Sequence, residues 1–394
     1  MPNQRQSHAE RGDEADRKTQ AGPLPGATGT FESLASLAWP LAFAASMSRA
    51  AASSLDAMAL AFAQGQAEPT SPESEWATPG IVRLELPSLR LRDVSSGPAG
   101  PATVICAPFA LHRATVADFA PGHSLVEMLR EAGSGRLFVT DWRSATPEMR
   151  DHSIDTYLAE LNVAVDEVGV PVNLVGLCQG GWLALVYAAR FPGKVRRLVL
   201  AGAPVDIAAA PSPLARLVAE TPAATFEALV RSGDGRVLGR HLLRAWSPSL
   251  PDEETDRILQ IPPGAPPEHV HALEERFRHW YGSTVDLPGV YYLQVVRHVF
   301  KRNEIADGQF TALGRRIALK DVTMPVFLLA ARDDEVVAPE QLMATADLIG
   351  TPRSRVTSVV EPCGHLGLFL GARTLAGPWR RIAGWLDGDE DGSR

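Results

Sequence analysis

The stretch Asn173–Ala189, NLVGLCQGGWLALVYAA, begins with an apolar run that reads as a buried strand and ends with one that reads as a helix. Between them stands Gly176-Leu177-Cys178-Gln179-Gly180, and few architectures accommodate such a turn. Its central residue must take a strained backbone conformation, and side chains at the flanking glycine positions would strike the neighbouring strand and helix. The turn exposes its central side chain at the carboxyl end of the strand. It also sets that side chain at a helix N-terminus, where the field favours a thiolate. Cys178 therefore reads as a nucleophile rather than as small filler in a glycine-rich turn.

The rest of the chain supplies the expected surroundings. Strands are predicted at Ile81–Leu86, Thr103–Ala107, Leu137–Asp141, Val172–Val175, Arg197–Ala201, Val326–Ala330 and Val356–Val360. Helices are predicted at Leu125–Glu131, Ile154–Val168, Gly180–Arg190 and Leu375–Leu386. Alternation of this kind implies a mostly parallel, doubly wound sheet with helices on both faces. From about Pro204 to Tyr292 it gives way to a Pro-rich helical stretch carrying Trp246, Trp280 and Tyr281. A long interruption late in such a series is how a cap enters an α/β-hydrolase fold, which is the fold class expected. The predicted organisation is a disordered N-terminus with an apolar helical segment and linker over residues 1–80, and core over 81–203. A cap or lid follows over 204–292, and the rest of the core over 293–394.

In that fold the partners of a nucleophile follow in the order acid then histidine, each on a loop after a later strand. After Phe327–Ala330 comes ARDDEVVAPE, which offers Asp333, Asp334 and Glu335; after Val356–Val360 comes EPCGHLG, which offers His365. His365 would take the thiol proton and later activate the acyl acceptor, while an aspartate holds the imidazole in orientation. Spacing alone leaves Asp333 and Asp334 both open. The oxyanion hole should combine the main-chain N–H of Gln179 with that of Phe109 or Ala110, in the loop after Thr103–Ala107. Cys106 is expected to be a small buried residue and Cys363 to lie beside the histidine.

Composition removes several alternatives. The net charge of −8 leaves no basic surplus to neutralise phosphates, so no nucleic-acid partner is expected. Three cysteines make a disulfide framework improbable and suit a reducing, cytoplasmic setting. No C-x-x-C or H-E-x-x-H spacing occurs, so no metal is expected. The polar, charged N-terminus is not how a signal peptide opens. The longest apolar run of the N-terminal segment, Leu37–Ala45, is far short of the roughly 20 residues that span a bilayer.

Over about Val104–Leu386 the chain resembles the polyhydroxyalkanoate synthases, in particular the short ones that work with a second subunit. The resemblance is carried by Asp141-Trp142, NLVGLCQGG around Cys178, APVDI at Ala203–Ile207, LKDVTMPV at Leu319–Val326, DEVV at Asp334–Val337 and CGHLG at Cys363–Gly367. It implies the triad Cys178, Asp334 and His365, selecting Asp334 over Asp333, and it matches Trp280 to a cap tryptophan, with Tyr281 beside it as a further substrate candidate. The implied reaction passes 3-hydroxyacyl groups from coenzyme A to a polyester held on the cysteine, with no cofactor beyond the CoA of the substrate. The implied partners are hydroxyacyl-CoA or polyester, a second synthase subunit or a granule surface, with a homo-oligomer also open. Glu335 stands where the synthases commonly have His, Ala338 where they have Pro, and Cys363 where they have Gly. Thr140–Trp142 and the pair Asp333-Asp334 look as much like the intracellular polyhydroxyalkanoate depolymerases. The leading expectation is thus an acyltransferase that polymerises 3-hydroxyacyl-CoA. The alternatives are a cysteine hydrolase acting on the polyester or a thioester, and a granule-associated binding protein on the same scaffold.

Overall fold

The computed structural model describes residues 75–246 and 252–388. The polar N-terminus, the apolar segment at 31–63 and most of the predicted linker lie outside the described residues. The first described residues carry no regular element but dock on the body. Trp76 lies under the Arg92 guanidinium at 4.5 Å, and Thr78 gives its N–H and hydroxyl to the Asp118 carboxylate, both at 2.8 Å.

Eight strands form the central sheet: β1 (Ile81–Glu85), β2 (Leu89–Asp93), β3 (Thr103–Cys106), β4 (Leu137–Trp142), β5 (Val172–Leu177), β6 (Val195–Ala201), β7 (Val326–Ala331) and β8 (Val356–Glu361). Their spatial order is β1-β2-β4-β3-β5-β6-β7-β8. Strands from β4 to β8 along that order pair in parallel, while β2 runs antiparallel to both β1 and β4. Every residue of β3, β5 and β7 is buried, as expected where helices cover both faces of a parallel sheet. β2 is absent from the strands predicted above. Its sequence LRLRD buries Leu89 and Leu91 and leaves Arg90 and Arg92 half-exposed, an alternation too short and too charged to stand out from sequence.

Helices α1 (Leu125–Glu131), α2 (Ile154–Val168) and α3 (Gln179–Arg190) follow the early strands. The hydroxyl of Ser124 caps α1 by accepting the N–H of Glu127. In α2 the buried positions Ile154, Tyr157, Leu158, Leu161, Ala164, Val165 and Val168 recur at three- and four-residue intervals, so one stripe faces the sheet. Gly169, at φ 87°, ends it.

Between β6 and β7 the chain leaves the sheet. Helices at Pro213–Glu220, Ala223–Ser232 and Gly239–Trp246 are followed by α4 (Asp252–Leu259), α5 (Pro267–Gly282) and α6 (Gly289–Gln294). After β8 the predicted closing helix is present but divided. Leu375–Trp379 is a π-turn containing Pro378, which cannot donate a hydrogen bond, and α7 (Arg380–Asp387) continues from it. Among the described residues no helix is long and apolar enough to cross a membrane.

Candidate active site

Cys178 joins β5 to α3 with φ 50° and ψ −119°, a conformation that L-residues rarely hold. Its N–H donates to the Ala201 carbonyl at 2.8 Å, and its carbonyl accepts from Gly181 at 2.8 Å, so both sides of the strained residue are fixed. The glycines leave no alternative at their positions. A Cβ on Gly180 would come within 2.1 Å of the Cys106 carbonyl oxygen, and one on Gly176 within 2.5 Å of the Gly181 Cα. One on Gly181 would meet the Ala203 Cβ at 2.3 Å. The elbow is thus wedged between the ends of β3 and β6. The thiol itself is half-buried, whereas Cys106 and Cys363 are buried, and burial pushes both of those thiols up to about 12.

The loops after β7 and β8 bring Asp334 and His365 to the same place. His365 Nδ1 lies 2.8 Å from Asp334 Oδ2, and the two side chains are almost wholly shielded from solvent. The other Asp334 oxygen accepts the N–H groups of Val336 and Val337, each at 2.8 Å, so the carboxylate can turn neither way. Burial by itself would lower the basicity of His365. The Asp334 carboxylate, hydrogen-bonded to the ring, and the charge of the nearby Cys178 sulfur outweigh it and hold the imidazole well above its ordinary value. Gly202, at φ 55°, clears the space: a Cβ there would stand 3.2 Å from the His365 Cε1. The structure therefore hydrogen-bonds His365 to Asp334 and sets the pair close enough to Cys178 for its sulfur to act on the imidazole. Asp333, the other aspartate left open by spacing, is exposed and donates its N–H to the Cys363 carbonyl at 3.1 Å.

The loop after β3, which carries Phe109 and Ala110, is held against the elbow by two side chains of β4. Thr140 Oγ1 accepts the Ala107 N–H at 2.9 Å, and Trp142 Nε1 donates to the Ala107 carbonyl at 2.8 Å. This gives the Thr140–Trp142 motif a definite structural task. Phe109 is buried, its ring 4.7 Å from Tyr157 and 5.2 Å from Tyr291. Gln179 opens α3, so its N–H has no acceptor within the helix. Its side-chain oxygen accepts from Trp182 Nε1, which fixes the first turn.

Sequence reading missed Tyr291, in α6. Its hydroxyl donates to the Phe109 carbonyl at 3.3 Å, and burial, together with the negative charge of Tyr157, Cys106 and Cys178 when ionised, keeps it protonated far above the ordinary phenol range. The only signal was the aromatic pair in GVYYLQ, which reads equally well as core packing. Trp280 and Tyr281 stand at the end of α5, in the same apolar cluster that Cys178 packs against. Each packs tilted against His112, ring centroids 4.7 Å apart, and His112 follows Leu111 in the same loop. Burial lowers His112 to about 3, so its ring is neutral at physiological pH. Among the described residues no three His, Cys, Asp or Glu side chains are grouped as metal ligands would be.

A strained elbow on a parallel sheet, with acid and histidine after the last two strands, defines a class of enzyme scaffold. The family model described as alpha/beta hydrolase fold matches residues 129–372, and the chain belongs to that family. Within it the chain is similar to poly(3-hydroxyalkanoate) polymerases. The polymerase subunit PhaC of Haloferax mediterranei is 26% identical over 337 residues, covering 82% of this chain and 67% of that protein. PhaC of Synechocystis sp. is 28% identical over 70% of this chain and 75% of its own length. PhaC of Allochromatium vinosum is 25% identical over 70% of this chain and 78% of its own.

Proposed function

We propose that this protein is an acyltransferase that polymerises 3-hydroxyacyl-CoA into polyhydroxyalkanoate through a cysteine acyl-enzyme. The observation that carries the reading is the strained elbow that presents Cys178 beside the hydrogen-bonded pair His365–Asp334, in a protein whose relatives are named as polymerases. His365 takes the proton from Cys178 Sγ, and the thiolate attacks the thioester carbonyl. The N–H of Gln179, with that of Phe109 or Ala110, stabilises the oxyanion. Collapse of the tetrahedral intermediate breaks the bond to CoA sulfur, which leaves with the proton held by His365. A hydroxyl of monomer or growing chain then gives its proton to His365 and attacks the acyl-cysteine, forming an oxygen ester and returning the thiol.

Sulfur suits this sequence of steps. Exchange between two thioesters is nearly isoenergetic, so the acyl group stays activated until the hydroxyl arrives, whereas a serine would spend that activation on a stable oxygen ester. Trp280 and Tyr281 would shape the cap over the acyl chain. The relatives' names describe subunits, which supports a second subunit as partner, with action in the cytoplasm at the polymer surface. No cofactor beyond the CoA of the substrate is required by the steps above.

Incubation of the purified protein with 3-hydroxybutyryl-CoA, following CoA release and polymer together, tests the reading. Release accompanied by polymer is the expected result. Release accompanied only by free hydroxy acid, or attack on supplied polyester, would assign the same three residues to a hydrolase.

A further inference from the structure

The loops that meet at His365 contain a second carboxylate, Glu335, directly after Asp334. The two neighbours reach the same histidine at different points. Asp334 Oδ2 holds the ring at Nδ1, while Glu335 Oε2 accepts the main-chain N–H of His365 at 3.2 Å. Gly364 allows that approach, since a Cβ there would stand 3.0 Å from Glu335 Oε2. Other bonds between the two loops join main chain to main chain nearer the sheet. Arg332 N–H meets the Glu361 carbonyl at 2.7 Å, and Asp333 N–H meets that of Cys363 at 3.1 Å. Past these, the Glu335 carboxylate reaches the main chain at the histidine itself.

A ring fixed at Nδ1 alone can still swing with its backbone, because the 362–366 loop between β8 and the helix that begins at Gly367 is neither helix nor strand. Fixing the N–H as well removes that freedom. We propose that Glu335 is a positioning residue that anchors the main chain of His365, so that the imidazole stays between Asp334 and the Cys178 sulfur throughout the two half-reactions. Burial and the neighbouring Asp334 charge raise the Glu335 carboxyl above its usual range, opposed by His365. A carboxyl oxygen accepts the N–H in either protonation state, so the anchor does not depend on its charge.

The inference rests on the role assigned to His365 above. Glu335→Ala in the full-length protein is expected to lower kcat for 3-hydroxybutyryl-CoA by about tenfold with KM within about twofold, since small displacements of a reacting group cost rate rather than binding. Glu335→Gln keeps an oxygen at the same reach and is expected to restore kcat to within about threefold of the parent. The proposal is overturned if Glu335→Ala turns over like the parent, or if Glu335→Gln falls as far as Glu335→Ala. Should Glu335→Ala fail to fold, Glu335→Asp, one methylene shorter, replaces it under the same two criteria.

Alkylation of Cys178 by iodoacetamide without substrate separates this inference from the reading it rests on, because the other two cysteines are buried. If His365→Ala leaves the alkylation rate unchanged, the role of the histidine itself fails. A rate slowed by His365→Ala but untouched by Glu335→Ala overturns the role of Glu335 alone.

Discussion

The sheet and the cap of this protein bury their residues to very different degrees. In α3, behind the elbow, every residue from Gln179 to Ala189 is buried. Of the cap helices, Ala223–Ser232 buries only Phe226, and α5 buries Leu273, Phe277 and Trp280 among its sixteen residues. The three residues proposed to do the chemistry stand on strand ends or on the elbow between β5 and α3: Cys178 is bonded to the main chain of β6, Asp334 to the main chain of its own loop, and His365 to the Asp334 and Glu335 carboxylates. The aromatic groups of α5 rest instead on a loop ring, His112. On the proposed function, chemistry that tolerates little displacement would be carried by the more deeply buried part, and substrate choice left to the less buried one.

Removing the sulfur makes the sharpest test of that division. Cys178→Ala is expected to lower polymer formation by at least about a thousandfold while the far-UV circular dichroism stays that of the parent. Activity retained within tenfold would mean that the elbow does not carry the reaction.

Asp334→Asn comes next, with a loss of about a hundredfold or more in kcat, because the amide presents a donor where the ring needs an acceptor. It also changes the pH dependence of stability. His365 sits above its ordinary value of 6.5 in the folded protein, so its contribution is fully present below that pH and is lost as pH rises through the raised folded value. The parent should therefore lose stability relative to Asp334→Asn as pH is taken from neutral into the alkaline range, measured by urea unfolding. Parallel curves would show that Asp334 does not set the histidine.

A matched pair of glycines compares the two regions directly. Gly180→Ala would drive a Cβ to 2.1 Å from the Cys106 carbonyl oxygen, and is expected to cost about 1–3 kcal/mol with a fall in activity. At Gly282, the last residue of α5, a Cβ meets nothing within 4 Å, and the same change should stay within about 0.5 kcal/mol of the parent. Equal effects at the two sites would erase the distinction between rigid sheet and tolerant cap.

How far this division could be read from sequence follows the same line. The elbow was legible because strand, glycines and helix are contiguous, so each residue's environment is set by its neighbours in the chain. Most strands of the sheet were legible because valine- and leucine-rich runs buried on both faces leave a strong signal. The bonds that hold the site were not. Thr140 and Trp142 drew notice as a motif, yet their grip on Ala107 depends on β4 lying beside β3, which no local pattern encodes. Glu335 drew notice as a third acidic residue after the strand and as a departure from the synthases. Its bond to the His365 N–H joins residues thirty positions apart. Asp333 and Asp334, equivalent by spacing, differ because one side chain faces the histidine and the other solvent.

The smallest expected effect on kcat concerns the joint between the two regions. Gln260, just past α4, holds φ 54° and is buried against the loop after His365. Its amide donates to Thr374 Oγ1 at 2.9 Å and accepts the Thr374 N–H at 3.0 Å. Gly371 is required beneath it, since a Cβ there would lie 2.5 Å from the Gln260 Cδ. Gln260→Ala leaves the Thr374 N–H without this acceptor, and should cost about 1–3 kcal/mol. Because the pin joins cap to core without touching Cys178, KM for 3-hydroxybutyryl-CoA should rise severalfold while kcat stays within about twofold. A collapse of kcat with KM unchanged would mean that the cap holds the reacting groups themselves, and the separation of chemistry from selection would not stand.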